Sequence, residues 1–173
     1  PAAAEFRGDN SGKEKLDALL AKADVIYGLI PPKDLLTRAP RLKWIQMTSA
    51  GVDRLRDTEI WRSKITLTNA SGIHATPIGE FILQFMLMFA KGAPRCFQMK
   101  QKREWQRYPS TTLRSKTLGI IGLGHIGREA ARLAKAFGMR VIAIKRSAKK
   151  AGTARYVDRL LRASEMPTLL KES

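Results

Sequence analysis

Cysteine is nearly absent from the 173-residue sequence, in which Cys96 is the only one. A single thiol excludes an internal disulfide and a thiolate-based metal cluster. The composition therefore favours a reducing, cytoplasmic setting, and no metal site is expected. Cys96 itself is interpreted as a small packing residue.

Long hydrophobic runs are also missing. The longest run, Phe81–Ala90, is interrupted by Gln84 and falls short of the ~20 apolar residues that span a bilayer. No basic segment followed by an apolar stretch opens the chain, so neither a signal peptide nor a membrane partner is expected. Because the sequence opens on Pro1 rather than methionine, an earlier segment is expected.

Acidic residues are scarce: the sequence has 15, compared with 32 lysines and arginines. The formal net charge is therefore +17. Such an excess attracts nucleic acid or anionic membranes. Nucleic-acid modules usually add stacking aromatics or a recognisable fold motif, and the sequence has neither. We therefore interpret the basic residues as a solvated surface beside a phosphate-rich cofactor and expect no nucleic-acid partner.

The most informative stretch is Thr117–Arg128, which has the spacing G-x-G-x-x-G at Gly122, Gly124 and Gly127. In such a turn the first glycine lets the chain reverse after a strand. The second lets a pyrophosphate approach the backbone, and the third lets the helix pack close to the sheet. The phosphates then bind at the helix N-terminus, where free N–H groups and the helix dipole favour negative charge. An ordinary structural turn is the alternative interpretation.

The flanking residues match a complete strand–helix–strand unit. Leu118, Ile120 and Ile121 are typical of a strand. Apolar residues then recur at helical spacing on one face of the next segment, at Ile126, Ala130, Leu133, Ala134 and Phe137. Gly138 ends this helix, and Arg140–Ile144 is typical of a second buried strand, which completes a βαβ unit of about 30 residues.

The residues after the second strand indicate which dinucleotide binds. NAD sites usually carry an Asp or Glu there, which binds the ribose 2′-hydroxyl. This sequence instead has Lys145, Arg146 and Ser147, which can bind a 2′-phosphate that a carboxylate would repel. The segment therefore favours NADP(H) over NAD(H). The alternative is that Lys145 and Arg146 are solvated turn residues.

Short apolar segments before the glycine motif predict a first α/β domain over residues 1–70. Its strands are expected at 23–28, 42–47 and 64–69. The small residues at 70–72 mark the expected boundary with the second domain.

The second domain, over residues 71–173, is expected to open with a helix from Thr76 to Lys91. Thr76 is predicted to cap this helix, with Pro77 at its first position. Since apolar residues cover most of its circumference, the helix is predicted to be buried between layers. The remaining predicted elements are a basic helix at 95–107, a brief strand at Tyr156–Val157 and a last helix capped by Ser164.

The order of these motifs resembles the D-isomer-specific 2-hydroxyacid dehydrogenases. The matching stretches are Pro40–Leu55, Asn69–Glu80, Trp105 and Lys116–Ile144. The resemblance implies a partial Rossmann-like doubly wound parallel sheet and a partial flavodoxin-like substrate domain, with the active site in the cleft between the domains. It also implies an oxidoreductase that transfers hydride between NAD(P)H and a small 2-keto or 2-hydroxy acid, such as glyoxylate or hydroxypyruvate. A homodimer built around the cofactor domain is implied as well.

The resemblance also assigns roles to particular residues. The loop matching Ser49–Val52 offers N–H groups to the substrate carboxylate, so Ala50 and Gly51 are expected to bind substrate; a tight turn is the alternative. The helix that begins near Ala75 is expected beside the nicotinamide. The expected cofactor-binding set is Gly122, Gly124, His125, Ile126, Gly127, Lys145, Arg146, Ser147 and Ile78.

The catalytic residues of the resembled family are missing from the sequence. They are an arginine that grips the substrate carboxylate, an acid/base histidine and an acid that orients this histidine. Their motifs, resembling A-R-G-x-x-V-D and T-P-H-x-x-G, do not occur, and neither His74 nor His125 has the position for proton transfer. We therefore expect no catalytic residue here and interpret the sequence as a fragment of a longer dehydrogenase. A non-catalytic dinucleotide-binding or regulatory module is the alternative.

Overall fold

The computed structural model describes residues 2–148 and 151–173. These residues form two compact units, which divide between Ile73 and His74. The boundary expected from the sequence lies between residues 70 and 71, close to this division. Each unit is built on a sheet of mainly parallel strands with helices, so the predicted α/β class is confirmed.

The first unit has a three-stranded parallel sheet in the order β1-β2-β3. Its strands are β1 (Val25–Gly28), β2 (Trp44–Met47) and β3 (Thr66–Thr68). All three predicted strands are confirmed, each shorter than its apolar segment. The helices are α1 (Ala2–Phe6), α2 (Lys13–Leu20), α3 (Leu35–Arg38) and α4 (Glu59–Arg62), with a 3-10 turn at Asp53–Leu55.

The second unit has a four-stranded sheet in the order β4-β5-β7-β6. Strands β4 (Thr117–Ile121), β5 (Arg140–Ile144) and β7 (Val157–Leu161) are parallel, whereas β6 (Gly152–Ala154) is antiparallel to β7. The helices are α5 (Ala75–Lys91), α6 (Ala93–Gln101), α7 (His125–Ala136) and α8 (Met166–Glu172), with a 3-10 turn at Ala163–Glu165.

The predicted βαβ unit is confirmed as β4, α7 and β5. Strand β5 is its most buried part: all of its residues after Arg140 are buried. A parallel strand with a neighbour on each side and helices on both faces of the sheet has little contact with water. Small side chains on α7 let this helix lie close to the sheet; they are Ala130, Ala131 and Ala134. Ile126 and Phe137, which the sequence pattern places on the same face, are 39% and 40% exposed, so this apolar face is covered in its middle and open at both ends.

The chain beyond β5 contains one strand that the sequence did not predict. The brief strand expected at Tyr156–Val157 is Val157–Leu161, and Tyr156 occupies the preceding turn with a φ of 65°. This turn joins β6 to β7 as a hairpin. Strand β6 was not predicted because the sequence around it is polar. Ser164 is not the cap of the last helix, because it lies inside the 3-10 turn.

Helix α5 has the predicted extent but not the predicted burial. Gly79 is its only fully buried residue, and the helix begins at Ala75, one residue before the predicted cap Thr76. One side packs on α7 and the core of the unit, while the other side carries exposed apolar side chains. These exposed residues, called the aromatic face below, are Ile78, Phe81, Phe85 and Phe89.

The predicted basic helix is shorter than expected. It ends at Gln101, and Arg103 follows with a φ of 56°, a backbone conformation that does not continue a helix. Cys96 lies on this helix and is exposed, so its interpretation as a packing residue was wrong. Among the residues that the structure describes, no helix combines the length and the apolar character needed to cross a membrane.

Candidate functional site

The glycine-rich turn lies between the end of β4 and the start of α7. Gly122 has a φ of +101°, a conformation that side chains rarely adopt, so this position requires glycine. Its N–H donates a hydrogen bond of 3.0 Å to the carbonyl oxygen of Ile144 at the end of β5. The turn is therefore fixed to the neighbouring strand, at the carboxyl edge of the sheet where ligands of such folds bind.

The other glycines of the motif differ sharply in the space around them. A Cβ atom built on Gly127 would fall on the carbonyl oxygen of Gly122 and lie 3.2 Å from Cγ2 of Ile120. Any side chain there would push α7 off the sheet. A Cβ built on Gly124 meets no atom within 4 Å, so the space above this backbone is open. This is the arrangement that a pyrophosphate requires.

The first turn of α7 presents its amide groups to this open space. Gly124 is the N-cap, no side chain caps the helix, and its first turn contains no acidic residue. The first N–H groups of a helix have no partner within the helix, and the helix dipole adds partial positive charge there. His125 is exposed and Ile126 is partly exposed at the same end. An anion can therefore reach the backbone.

A cationic turn follows β5 directly. It consists of Lys145, Arg146 and Ser147, and the N–H of Ala148 closes it on the carbonyl oxygen of Lys145 at 3.0 Å. Arg146 and Ser147 are exposed and Lys145 is half-buried. The bond between Gly122 and Ile144 holds this turn next to the glycine-rich turn. The structure thus brings together the sequence-predicted residues of both segments.

The loop with Ala50 and Gly51 belongs to the first unit and follows β2. Two side chains hold its carbonyl groups: Nδ2 of Asn69 donates to the Ala50 oxygen, and Oγ of Ser49 donates to the Gly51 oxygen, each at 2.8 Å. Among the hydrogen bonds of residues 2–148 and 151–173, none uses the N–H of Ala50 or Gly51. Free N–H groups in a loop of this kind can bind a carboxylate.

Ser49 and Asn69 are functional candidates that the sequence did not single out. Each is a short polar side chain beside the loop, and such residues often bond to nearby backbone. This tendency could have identified Ser49 and Asn69 as candidates, but it does not predict which backbone group each side chain binds. Ile78 lies in the first turn of α5 and is 37% exposed. His74 immediately precedes α5, and no group of His, Cys, Asp or Glu able to hold a metal occurs in the described part of the chain.

The second unit has the features of a Rossmann-type dinucleotide-binding unit. At one edge of its parallel sheet lie a glycine-rich turn, an open helix N-terminus and a cationic turn. Residues 83–173 match the model of a known family, the D-isomer specific 2-hydroxyacid dehydrogenase, NAD binding domain. The chain therefore belongs to the D-isomer-specific 2-hydroxyacid dehydrogenase family, as its motifs predicted.

Individual relatives agree with this assignment. The chain is 34% identical over 149 residues to glyoxylate reductase from Aeropyrum pernix, covering 78% of this chain and 44% of that protein. A family protein from Aeromonas salmonicida has a TM-score of 0.82 at 29% identity, covering 94% of this chain and 52% of that one. A Rhizobium etli protein solved in complex with NADP has a TM-score of 0.71 at 26% identity, covering 92% and 50%. The chain spans about half or less of the curated relatives that it matches.

Proposed function

We propose that this chain forms the cofactor-binding and carboxylate-binding parts of an NAD(P)H-dependent 2-hydroxyacid dehydrogenase. In this proposal the first unit binds the substrate and the second unit binds the cofactor. The observation that carries the proposal is the glycine-rich turn, in which Gly127 is closely packed, Gly124 is open and the helix N-terminus behind them is uncapped. When bound, the reduced nicotinamide supplies the hydride that converts a 2-oxo acid to a 2-hydroxy acid.

Each group of residues has a defined task in this function. The N–H groups at the start of α7 bind the pyrophosphate of the cofactor, with His125 and Ile126 at the contact. The N–H groups of Ala50 and Gly51 bind the substrate carboxylate and so orient the carbonyl that is reduced. Ile78 packs beside the nicotinamide. The proton donor lies outside this sequence, since neither of its histidines is in the family's catalytic motif.

We infer a preference for NADP(H) from the cationic turn. A 2′-phosphate placed near Lys145 and Arg146 gains charge-assisted hydrogen bonds, whereas the carboxylate typical of NAD sites is absent from this turn. The relative solved with NADP shows that a member of the family accepts this cofactor. Glyoxylate and hydroxypyruvate are the first substrates to test, because relatives of this chain are named as reductases of these acids.

We also propose that the full-length protein is a cytoplasmic homodimer that binds through the aromatic face of α5. This face is uncharged, and the rings of Phe81 and Phe85 lie 4.6 Å apart on it. A second copy would bury these rings against its own, which removes apolar surface from water. Sedimentation of Phe85→Glu should show monomer where the wild type shows dimer. Leu170→Glu, a similar change of an exposed residue on α8, should leave the dimer intact.

The proposal is tested by titrating the full-length protein with NADPH and NADH under fluorescence detection and then measuring turnover of 2-oxo acids. We expect NADPH to bind more tightly than NADH. Arg146→Asp should raise the Kd for NADPH by about 10- to 100-fold, because a charge-assisted hydrogen bond is replaced by repulsion. The Kd for NADH should change little. Lys100→Asp is the matched control, since it makes the same charge change on the exposed surface of α6.

Separate outcomes contradict separate parts of the proposal. No binding of either dinucleotide would remove the dehydrogenase function. Tighter binding of NADH than NADPH would remove only the inference from Lys145 and Arg146. Binding without turnover of any 2-oxo acid would favour the alternative function, a dinucleotide-binding or regulatory module.

A further inference from the structure

Arg162 immediately follows strand β7 and lies at the same edge of the sheet as the cationic turn. Strands β5 and β7 are parallel, and their last residues, Ile144 and Leu161, are paired in register. Residues 145 and 162 therefore leave the sheet side by side, roughly 5 Å apart, which is the usual spacing of neighbouring strands. The N–H of Lys145 is 3.5 Å from the carbonyl oxygen of Leu161. Arg162 thus adjoins the cationic turn.

The strand order places Arg162 on the side of the cationic turn that faces away from the glycine-rich turn. Because β5 lies between β4 and β7, the carboxyl edge carries the glycine-rich turn, the cationic turn and Arg162 in this order. In a Rossmann unit the pyrophosphate binds at the first helix, and the adenosine ribose binds at the end of the second strand. A 2′-phosphate on that ribose would therefore lie between the cationic turn and Arg162.

The guanidinium group of Arg162 uses only part of its hydrogen-bonding capacity within the protein. Oε2 of Glu165 accepts the backbone N–H of Arg162 at 3.0 Å and Nε of its side chain at 3.2 Å. These two bonds hold the pKa of Glu165 below its usual value, so its carboxylate stays ionised. Across residues 2–148 and 151–173, no acceptor contacts the two terminal amino groups, and the side chain is 55% exposed. Both amino groups can therefore donate to an anion.

Two other arginines of the same sheet are bound differently. Nη2 of Arg140 and Nη1 of Arg159 both donate to the carboxylate of Glu172, at 3.0 and 2.5 Å, so their terminal amino groups already have an anionic partner. Arg140 is also the first residue of β5 and so lies at the amino edge of the sheet, away from the cofactor. Arg162 differs from Arg140 in its position at the carboxyl edge, and from both arginines in pairing with a carboxylate through Nε.

We propose that Arg162 is a specificity-determining residue for NADP(H), whose terminal amino groups bind the 2′-phosphate opposite Lys145 and Arg146. This inference rests on the proposed function and its NADP(H) preference. A planar guanidinium can offer two parallel N–H groups to a phosphate, and Glu165 restricts the side chain without using these groups. Three cations and one carboxylate leave two positive charges at this site, which match the charge of a phosphate group, about −1.5 to −2 at pH 7.

The test compares 2′,5′-ADP with 5′-AMP, which lacks only the 2′-phosphate, by calorimetry on the full-length protein. Arg162→Ala should raise the Kd for 2′,5′-ADP about tenfold, because charge-assisted hydrogen bonds to the phosphate are lost. The Kd for 5′-AMP should change by less than about twofold, since the variant leaves the contacts of adenosine in place. Arg155→Ala is the matched control. It removes an exposed arginine from the turn between β6 and β7, at the other end of β7, and should change neither Kd.

Fluorescence titration of the same variants with NADPH and NADH provides a second readout, in which Arg162→Ala should reduce the preference for NADPH about tenfold. If NADPH binds and Arg162→Ala leaves the Kd for 2′,5′-ADP unchanged, the role of Arg162 is overturned while the dehydrogenase function stands. An equal loss of affinity for 2′,5′-ADP and 5′-AMP would also overturn it, because Arg162 would then support the fold or the adenosine rather than the phosphate. If neither dinucleotide binds to the wild type, the proposed function itself has failed.

Discussion

Replacement of Gly124 by alanine should weaken cofactor binding without disturbing the fold. The backbone at Gly124 has φ −87° and ψ −157°, an extended conformation that alanine adopts without strain. The added methyl group meets no atom within 4 Å, so the free energy of unfolding should change by less than about 0.5 kcal/mol. A bound pyrophosphate would occupy the space that this methyl group enters. We therefore expect the Kd for NADPH to rise at least tenfold, about 1.4 kcal/mol.

Gly127→Ala is the informative comparison, because it adds the same methyl group at a closely packed position rather than at an open one. Its Cβ would fall on the carbonyl oxygen of Gly122, so α7 must move away from β4. Forcing an extra group into a packed site costs about 1–3 kcal/mol. Gly127→Ala should thus lower both stability and NADPH affinity, whereas Gly124→Ala should lower affinity alone.

Both variants are assayed in the full-length protein by urea unfolding and by fluorescence titration with NADPH. The reasoning would be refuted if Gly124→Ala bound NADPH with the wild-type Kd. It would also be refuted if Gly124→Ala lost more than about 1.5 kcal/mol of stability, because the open space would then not exist.

Further predictions concern the sheet that supports the site. Leu169 of α8 packs against β5 and β7 and is only 2% exposed. Leu169→Ala should therefore lower the free energy of unfolding, measured in urea, by about 2–5 kcal/mol. Leu170→Ala is the control, because Leu170 is 62% exposed and its replacement should cost less than about 0.5 kcal/mol. Hydrogen bonds from Lys135 and from the N–H of Val141 hold the pKa of Asp158 below its usual value. The ionised carboxylate therefore stabilises the fold above about pH 4, and this contribution is lost as the pH falls through the lowered pKa. Asp158→Asn should accordingly be less stable than wild type at pH 7, and the difference should shrink as the pH falls through the lowered pKa of Asp158.

The sequence predicted the parts of the fold in which local pattern and tertiary environment agree. The glycine-rich turn is one such part, because its glycines have steric requirements that can be read from their spacing alone. Strand β5 is another, since a continuous apolar run followed by a charged turn leaves few alternatives. The family was identified for the same reason, from several motifs in a fixed order.

The errors occur where tertiary contacts decide. The apolar residues of α5 predict burial on all sides, but only contacts with α7 decide which side is covered, and Phe81 and Phe89 are 58% and 77% exposed. Strand β6 exists because it pairs with β7, and its own residues carry no strand signal. At the carboxylate loop, Asn69 is distant in sequence from Ala50 and meets it only because β3 lies beside β2. Sequence spacing cannot reveal such a bond.

Hydrogen–deuterium exchange of the full-length protein, with and without saturating NADPH, tests the dinucleotide site most directly. We predict that NADPH slows exchange in the peptides that contain Gly122–Gly127 and Lys145–Ser147, because bound phosphates would accept hydrogen bonds from the amides at the start of α7 and order the cationic turn. Unchanged exchange in both peptides, under conditions where fluorescence shows NADPH bound, would mean that the cofactor binds elsewhere and would contradict the account.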